Sequence, residues 1–106
     1  MVNKNKERYV KLAINYIKQF PDKFNKLIVY GESVDTTIKN PISLDFAIGL
    51  VNKSDATNYD LLGDVISYLG DIVDEGGCTL LPFDEDIVST IRYESMTKGD
   101  VVYEIC

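Results

Sequence analysis

The sequence predicts a single α/β (α+β) domain over residues 1–106, a small mixed β-sheet of three to four strands with helices packed against it. Three observations predict it. Helix-spaced and strand-like apolar segments alternate along the chain. Two of the strand-like runs are apolar at nearly every position, as strands buried on both faces are. With 106 residues, 45% hydrophobic and 26% charged, the chain suits one globular domain with a thin core.

From about Lys4 to Phe20, apolar residues recur at Val10, Ala13, Ile14 and Ile17, with Lys6, Glu7, Lys11 and Lys18 expected elsewhere on the cylinder. Pro21 is expected to end this helix, because a proline pushes the preceding residue out of helical geometry. Lys26–Tyr30 reads as a buried strand closed by Gly31. Ser33–Asn40 is polar and reads as one or two helical turns or as loop, and Asn40-Pro41 marks a turn. Ile42–Val51 is a second strand, apolar enough to be central, in which Asp45 stands out.

The next helix is expected to start near Thr57 as its cap, with Asp60 as partner in a capping box. Its core stripe is Leu62, Val65, Ile66, Leu69, Ile72 and Val73, and Gly76-Gly77 is expected to end it. Cys78–Leu81 is a third strand that Pro82 should stop. Asp84 caps a last helix, roughly Glu85–Thr97, anchored by Ile87, Val88 and Ile91 and broken at Gly99. Val101–Tyr103 is a short final strand or extended tail.

Composition excludes several classes. The chain has no histidine, which rules out His-based zinc sites, His general bases and Ser-His-Asp triads. Cys78 and Cys106 stand alone, which fits a reducing compartment better than a disulfide framework. A formal net charge of -6 argues against direct DNA binding, which relies on clustered Lys and Arg. No apolar run is long enough for a bilayer, and the charged N-terminal stretch is unlike a signal peptide, so a cytoplasmic domain without membrane contact is expected.

The stretch Leu27-Ile28-Val29-Tyr30-Gly31-Glu32, continuing to Ile42-Ser43-Leu44-Asp45-Phe46-Ala47-Ile48, carries the functional reading. It resembles the core of the minimal nucleotidyltransferases of the DNA polymerase β-like superfamily. Their pattern is a buried strand ending in Gly-Ser, a polar turn of about ten residues, and Asp-x-Asp opening an apolar strand. The resemblance covers nearly the whole chain, including the helix before Pro21, the Gly-Gly break and the closing Lys98–Glu104. It implies backbone amides and a hydroxyl against a triphosphate, and three carboxylates on two strands holding Mg²⁺.

Aligned on Gly31, the family's Ser falls on Glu32, its first Asp on Ser43, its second on Asp45 and its third near Thr79. Asp45 alone keeps the family residue, so the resemblance implies a domain that has lost most of its catalytic carboxylates. The expected function is a non-catalytic protein-interaction (antitoxin-like) module. Its expected partner is a small helical protein of the HEPN type or a second copy. The alternative is a Mg²⁺-dependent nucleotidyltransferase that moves a nucleoside monophosphate from NTP to a protein or small-molecule acceptor. In that reading Asp45 is the catalytic and metal residue, Glu32 reaches across as a further metal ligand, and Gly31, Glu32, Ser33 and Ser43 contact nucleotide. No cofactor is expected for the first reading and Mg²⁺ for the second. A third, nucleotide sensing without turnover, shares the nucleotide-contacting residues.

Outside this core, Gly63, Ser67 and Gly70 fall on one side of the Thr57 helix, where glycine costs about 1 kcal/mol against alanine. Their smallness suits either packing within the domain or a partner or homodimer interface. The acids Asp71, Asp74, Glu75, Asp84, Glu85 and Asp86 read as solvated surface, or as a docking face for a basic partner. Tyr30, beside the turn, is a candidate for base stacking. Arg92 and Lys98 are candidates for phosphate contact, and Cys78 reads as an inert buried thiol.

Overall fold

The computed structural model describes residues 2–73, 77–83 and 98–105. Six regular elements lie among them: helix α1 (Glu7–Ile17), strand β1 (Phe24–Tyr30), strand β2 (Ser43–Leu50), helix α2 (Tyr59–Ile72), strand β3 (Gly77–Phe83) and strand β4 (Asp100–Glu104). The result is an α+β domain with a mixed four-stranded sheet in the order β3-β2-β1-β4. β1 pairs antiparallel with both β2 and β4, and β2 pairs parallel with β3 through the α2 crossover. The two runs expected to be buried are the two central strands.

Strand alternation divides the core into two faces. Leu27 and Val29 of β1, Leu44, Phe46 and Ile48 of β2, and Leu80 of β3 meet both helices in the main cluster. α1 supplies Tyr9, Val10, Ala13 and Ile17, and α2 supplies Leu62, Val65 and Leu69. Tyr16 and Tyr68 stack at 4.3 Å between ring centroids and tie the helices to each other, a contact type worth about 0.5–1.5 kcal/mol beyond area burial. Ile28, Tyr30 and Ala47 form a smaller cluster on the opposite face, with Leu81 and Phe83 packed against it.

Several boundaries differ from those read in the sequence. The first helix is shorter: Lys4–Lys6 is a 3-10 turn, α1 ends at Ile17, and Pro21 belongs to the turn that follows. Asn58, not Thr57, caps α2, with its side chain accepting from the Leu61 amide at 3.2 Å. Thr57 closes a separate 3-10 turn (Lys53–Thr57), its hydroxyl donating to the Ser54 carbonyl. α2 stops at Ile72, before the glycines, and Gly77 opens β3. Ile66 is exposed rather than part of the core stripe.

Pro82 does not stop β3, which continues to Phe83. β3 is an edge strand, and an edge tolerates a residue without an N–H. β4 is confirmed as a strand, and Gly99 just before it lies against β1. A Cβ there would stand 2.5 Å from the Val29 carbonyl oxygen, so only glycine allows this approach.

The expected helix at Glu85–Thr97, its cap Asp84 and its anchors Ile87, Val88 and Ile91 lie outside the described residues, as do Asp74, Glu75, Gly76, Asp86, Arg92, Tyr93 and Cys106. No helix among the described residues is long and apolar enough to cross a membrane.

Candidate functional site

The candidate residues gather where β1 ends and β2 and β3 begin. β1 leaves the sheet through Gly31, whose φ of 76° is the left-handed conformation that glycine adopts without strain. The turn passes directly over β2: a Cβ on Gly31 would lie 2.7 Å from Asp45 Oδ2. Gly31–Val34 then forms one short 3-10 turn.

Each side chain in this turn has a defined partner. The Glu32 carboxylate accepts from the Ser43 amide at the start of β2. That bond, first of all, holds the Glu32 carboxyl below its ordinary pKa; the nearby Ser43 side chain helps next, burial opposes, and the Ile42 backbone and the charge of Lys6 add lesser help. Ser33 is buried, and its hydroxyl donates to the Ser43 carbonyl at 2.6 Å. Its hydroxyl is therefore turned onto the backbone rather than outward.

Asp45 lies at the centre. Parallel pairing sets Asp45 opposite Thr79, and the Thr79 hydroxyl donates to Asp45 Oδ1 at 2.8 Å. The Ser43 hydroxyl, two residues back on the same face of β2, donates to Oδ2 at 3.3 Å. The partners of the Asp45 carboxylate are thus two hydroxyls. Among the described residues no group of three or more Asp, Glu, Cys or His side chains could hold a metal ion.

Neither a family model, nor a curated protein, nor a solved structure matches the chain.

Lys6 is the residue that sequence reasoning missed. Expected on the polar side of its helix, it is only 4% exposed. Its ammonium lies 5.8 Å from the Tyr9 ring centroid and makes no ion pair among the described residues. A signal was present: Lys6, Val10, Ala13 and Ile17 follow one helical stripe at spacings of four, three and four. The segment that carries Lys6 is tied to the turn beyond Gly31. The Asn3 amide donates to the Ser33 carbonyl at 2.7 Å, and Asn3 Nδ2 donates to the Lys39 carbonyl at 3.1 Å.

The remaining candidates sort plainly. Tyr30 is 7% exposed in the smaller apolar cluster, so its ring is not free to stack on a base. Burial pushes the half-buried Cys78 thiol up to about 11, with the Asp45 charge adding to the rise and Lys6 opposing it. Lys98 and Asp71 are exposed. Gly63, Ser67 and Gly70 are exposed as well, and a Cβ at either glycine would meet nothing within 4 Å. Packing of these small residues within the domain is thereby excluded among the described residues.

Proposed function

We propose that the chain is a nucleotidyltransferase-like domain that has lost most catalytic carboxylates and acts as a non-catalytic protein-interaction, antitoxin-like module. One observation carries the reading: both oxygens of the Asp45 carboxylate accept hydroxyl hydrogen bonds, from Ser43 and Thr79. These two hydroxyls stand where the resemblance calls for the other two carboxylates. A divalent cation needs several anionic oxygens turned toward one point. Here one carboxylate is engaged by two donors, and the second, Glu32, is held on the Ser43 amide. The donor set does not fit Mg²⁺.

The exposed small-residue side of α2, with Gly63, Ser67 and Gly70, is where this reading puts a partner: a helical protein of the HEPN type or a second copy. The test is calorimetry with ATP and Mg²⁺ followed by a radiolabel-transfer assay. The expected result is neither binding at millimolar ATP nor transfer. Mg²⁺-dependent transfer that Asp45→Asn abolishes would overturn the proposal in favour of an active nucleotidyltransferase, and binding that survives Asp45→Asn would turn it toward nucleotide sensing.

A further inference from the structure

We infer that the outer surface of the two helices docks a second copy of this chain, the basic stripe of each α1 lying on the acidic stripe of the other copy's α2. The inference rests on the protein-interaction reading and chooses between its two partners.

Each helix turns an apolar stripe to the sheet and leaves the opposite stripe in water. On α1 the outer stripe is Arg8, Lys11, Asn15 and, at the C-cap, Lys18, all exposed. On α2 it is Asp60, Asp64, Ser67 and Asp71, all exposed. α2 carries these three acids and no base, while Glu7 in the first turn is the single acid of α1. Lys11, Lys18, Asp60, Asp64 and Asp71 make no ion pair among the described residues. At 1.5 Å per residue the two stripes have nearly equal lengths, about 15–17 Å.

An apolar seam separates them. Tyr16 and Tyr68 stack between the helices, and Leu12, one turn before Tyr16 on the same flank, is 37% exposed. A two-fold axis along this seam brings Leu12 near its own copy and lays each α1 on the other copy's α2. A two-fold axis across the seam would lay α1 on α1 and α2 on α2, like charge on like. Charge therefore selects one of the two face-to-face arrangements. A lone helix from another protein meets one stripe, whereas a second copy satisfies both at once. Gly63 and Gly70 border the acidic stripe and keep α2 low where long Lys and Arg side chains come in. Two helices, each about 10 Å wide, offer roughly 300 Å² per copy, below the ~800 Å² of a stable interface. The contact is therefore weak and salt-dependent.

The test is sedimentation velocity over a concentration series at about 0.05 M and about 0.5 M salt. The chain is expected to dimerise at low salt, with affinity at least about tenfold weaker at high salt. Lys11→Glu/Lys18→Glu and Asp64→Lys/Asp71→Lys should each be monomeric alone, because like charges then face each other. An equimolar mixture of the two variants should dimerise again, since every helix then meets its opposite. All four positions are exposed, so circular dichroism should show an unchanged fold.

Loss of dimer in both variants without recovery on mixing overturns the stripe pairing, and so does a wild-type dimer that neither variant weakens. A monomeric wild type that transfers no nucleotide overturns the second copy and leaves the protein-interaction reading standing. Nucleotide transfer abolished by Asp45→Asn overturns that reading instead, whatever the state of association.

Discussion

The Thr79 hydroxyl on β3 donates to Asp45 Oδ1 on β2 at 2.8 Å, across a parallel strand pair whose register sets the two residues opposite each other. The bond joins the one charged residue of a central strand to the edge strand beside it. Thr79→Val removes the donor without altering shape and should cost about 0.5–1.5 kcal/mol, toward the low end because Thr79 is exposed. Urea denaturation checks this. Asp45→Asn, which keeps one oxygen acceptor, should cost less than Asp45→Ala.

Glu32 predicts a pH dependence. Its carboxyl is held below the ordinary value of 4.5 in the folded chain. A depressed folded pKa gives stability that is fully present above the unfolded value and is lost as pH falls toward the folded one. Melting temperatures of the wild type and Glu32→Gln should therefore differ most at neutral pH, and the gap should close on acidification below pH 4.5. A gap that widens on acidification would reverse the sign.

Gly31 predicts a backbone penalty with two separable parts. Gly31→Ala places a side chain at φ 76° and a Cβ 2.7 Å from Asp45 Oδ2. The cost should be about 1–3 kcal/mol. In a Gly31→Ala/Asp45→Ala double substitution the clash disappears and the backbone strain stays. Chemical denaturation of all four proteins should show partial recovery in the double variant.

Gly63 and Gly70 predict a gain. Both are interior to α2, exposed, and free of neighbours among the described residues, so Gly63→Ala and Gly70→Ala should each stabilise the isolated domain by about 0.5–1 kcal/mol. Thermal melts check this. If the same face takes a partner at close backbone approach, the more stable variants bind it less well.

Cys78 predicts slow chemistry. With its thiol pushed from 9.0 to about 11, it should react with iodoacetamide at pH 8 far more slowly than in the unfolded chain. Alkylation kinetics in a Cys106→Ser background isolate this thiol.

Much of the fold was legible because it follows from apolar pattern alone. Lys26–Tyr30 and Ile42–Val51 are apolar at nearly every position, and they mark the two central strands, Phe24–Tyr30 and Ser43–Leu50, although Ile42 and Val51 at the ends of the second run are exposed. Leu62, Val65 and Leu69 kept helical spacing and became the buried stripe of α2. What the pattern missed depends on neighbours in space. Pro82 is compatible with a strand only because β3 lies at the edge, a fact of strand order. Thr57 and Asn58 are both plausible caps, and the 3-10 turn ending at Thr57 decides between them.

The site divides in the same way. Asp45 was conspicuous as a lone charge in an apolar strand. That Ser43 and Thr79 both aim hydroxyls at it requires the β2–β3 register, and adjacent sequence does not specify a parallel register. Lys6 lay on the helical stripe all along, but a lysine in a charged stretch is ordinarily solvated, and that expectation hid the geometry.

The strand order has a consequence for how the chain comes off the ribosome. β1 pairs residues 26–29 with residues 100–104 of β4 on its outer side, so its last partner is made long after it. Until then, a nascent chain carries β1 as an unprotected edge rich in Leu27, Ile28 and Val29, the kind of surface that recruits foreign strands. Synthesis stalled before Asp100 should yield a product that aggregates or is degraded, whatever the health of its helices. The salt bridge between Lys26 and Glu104, 2.9 Å long, is part of the latch that closes the sheet when translation reaches β4.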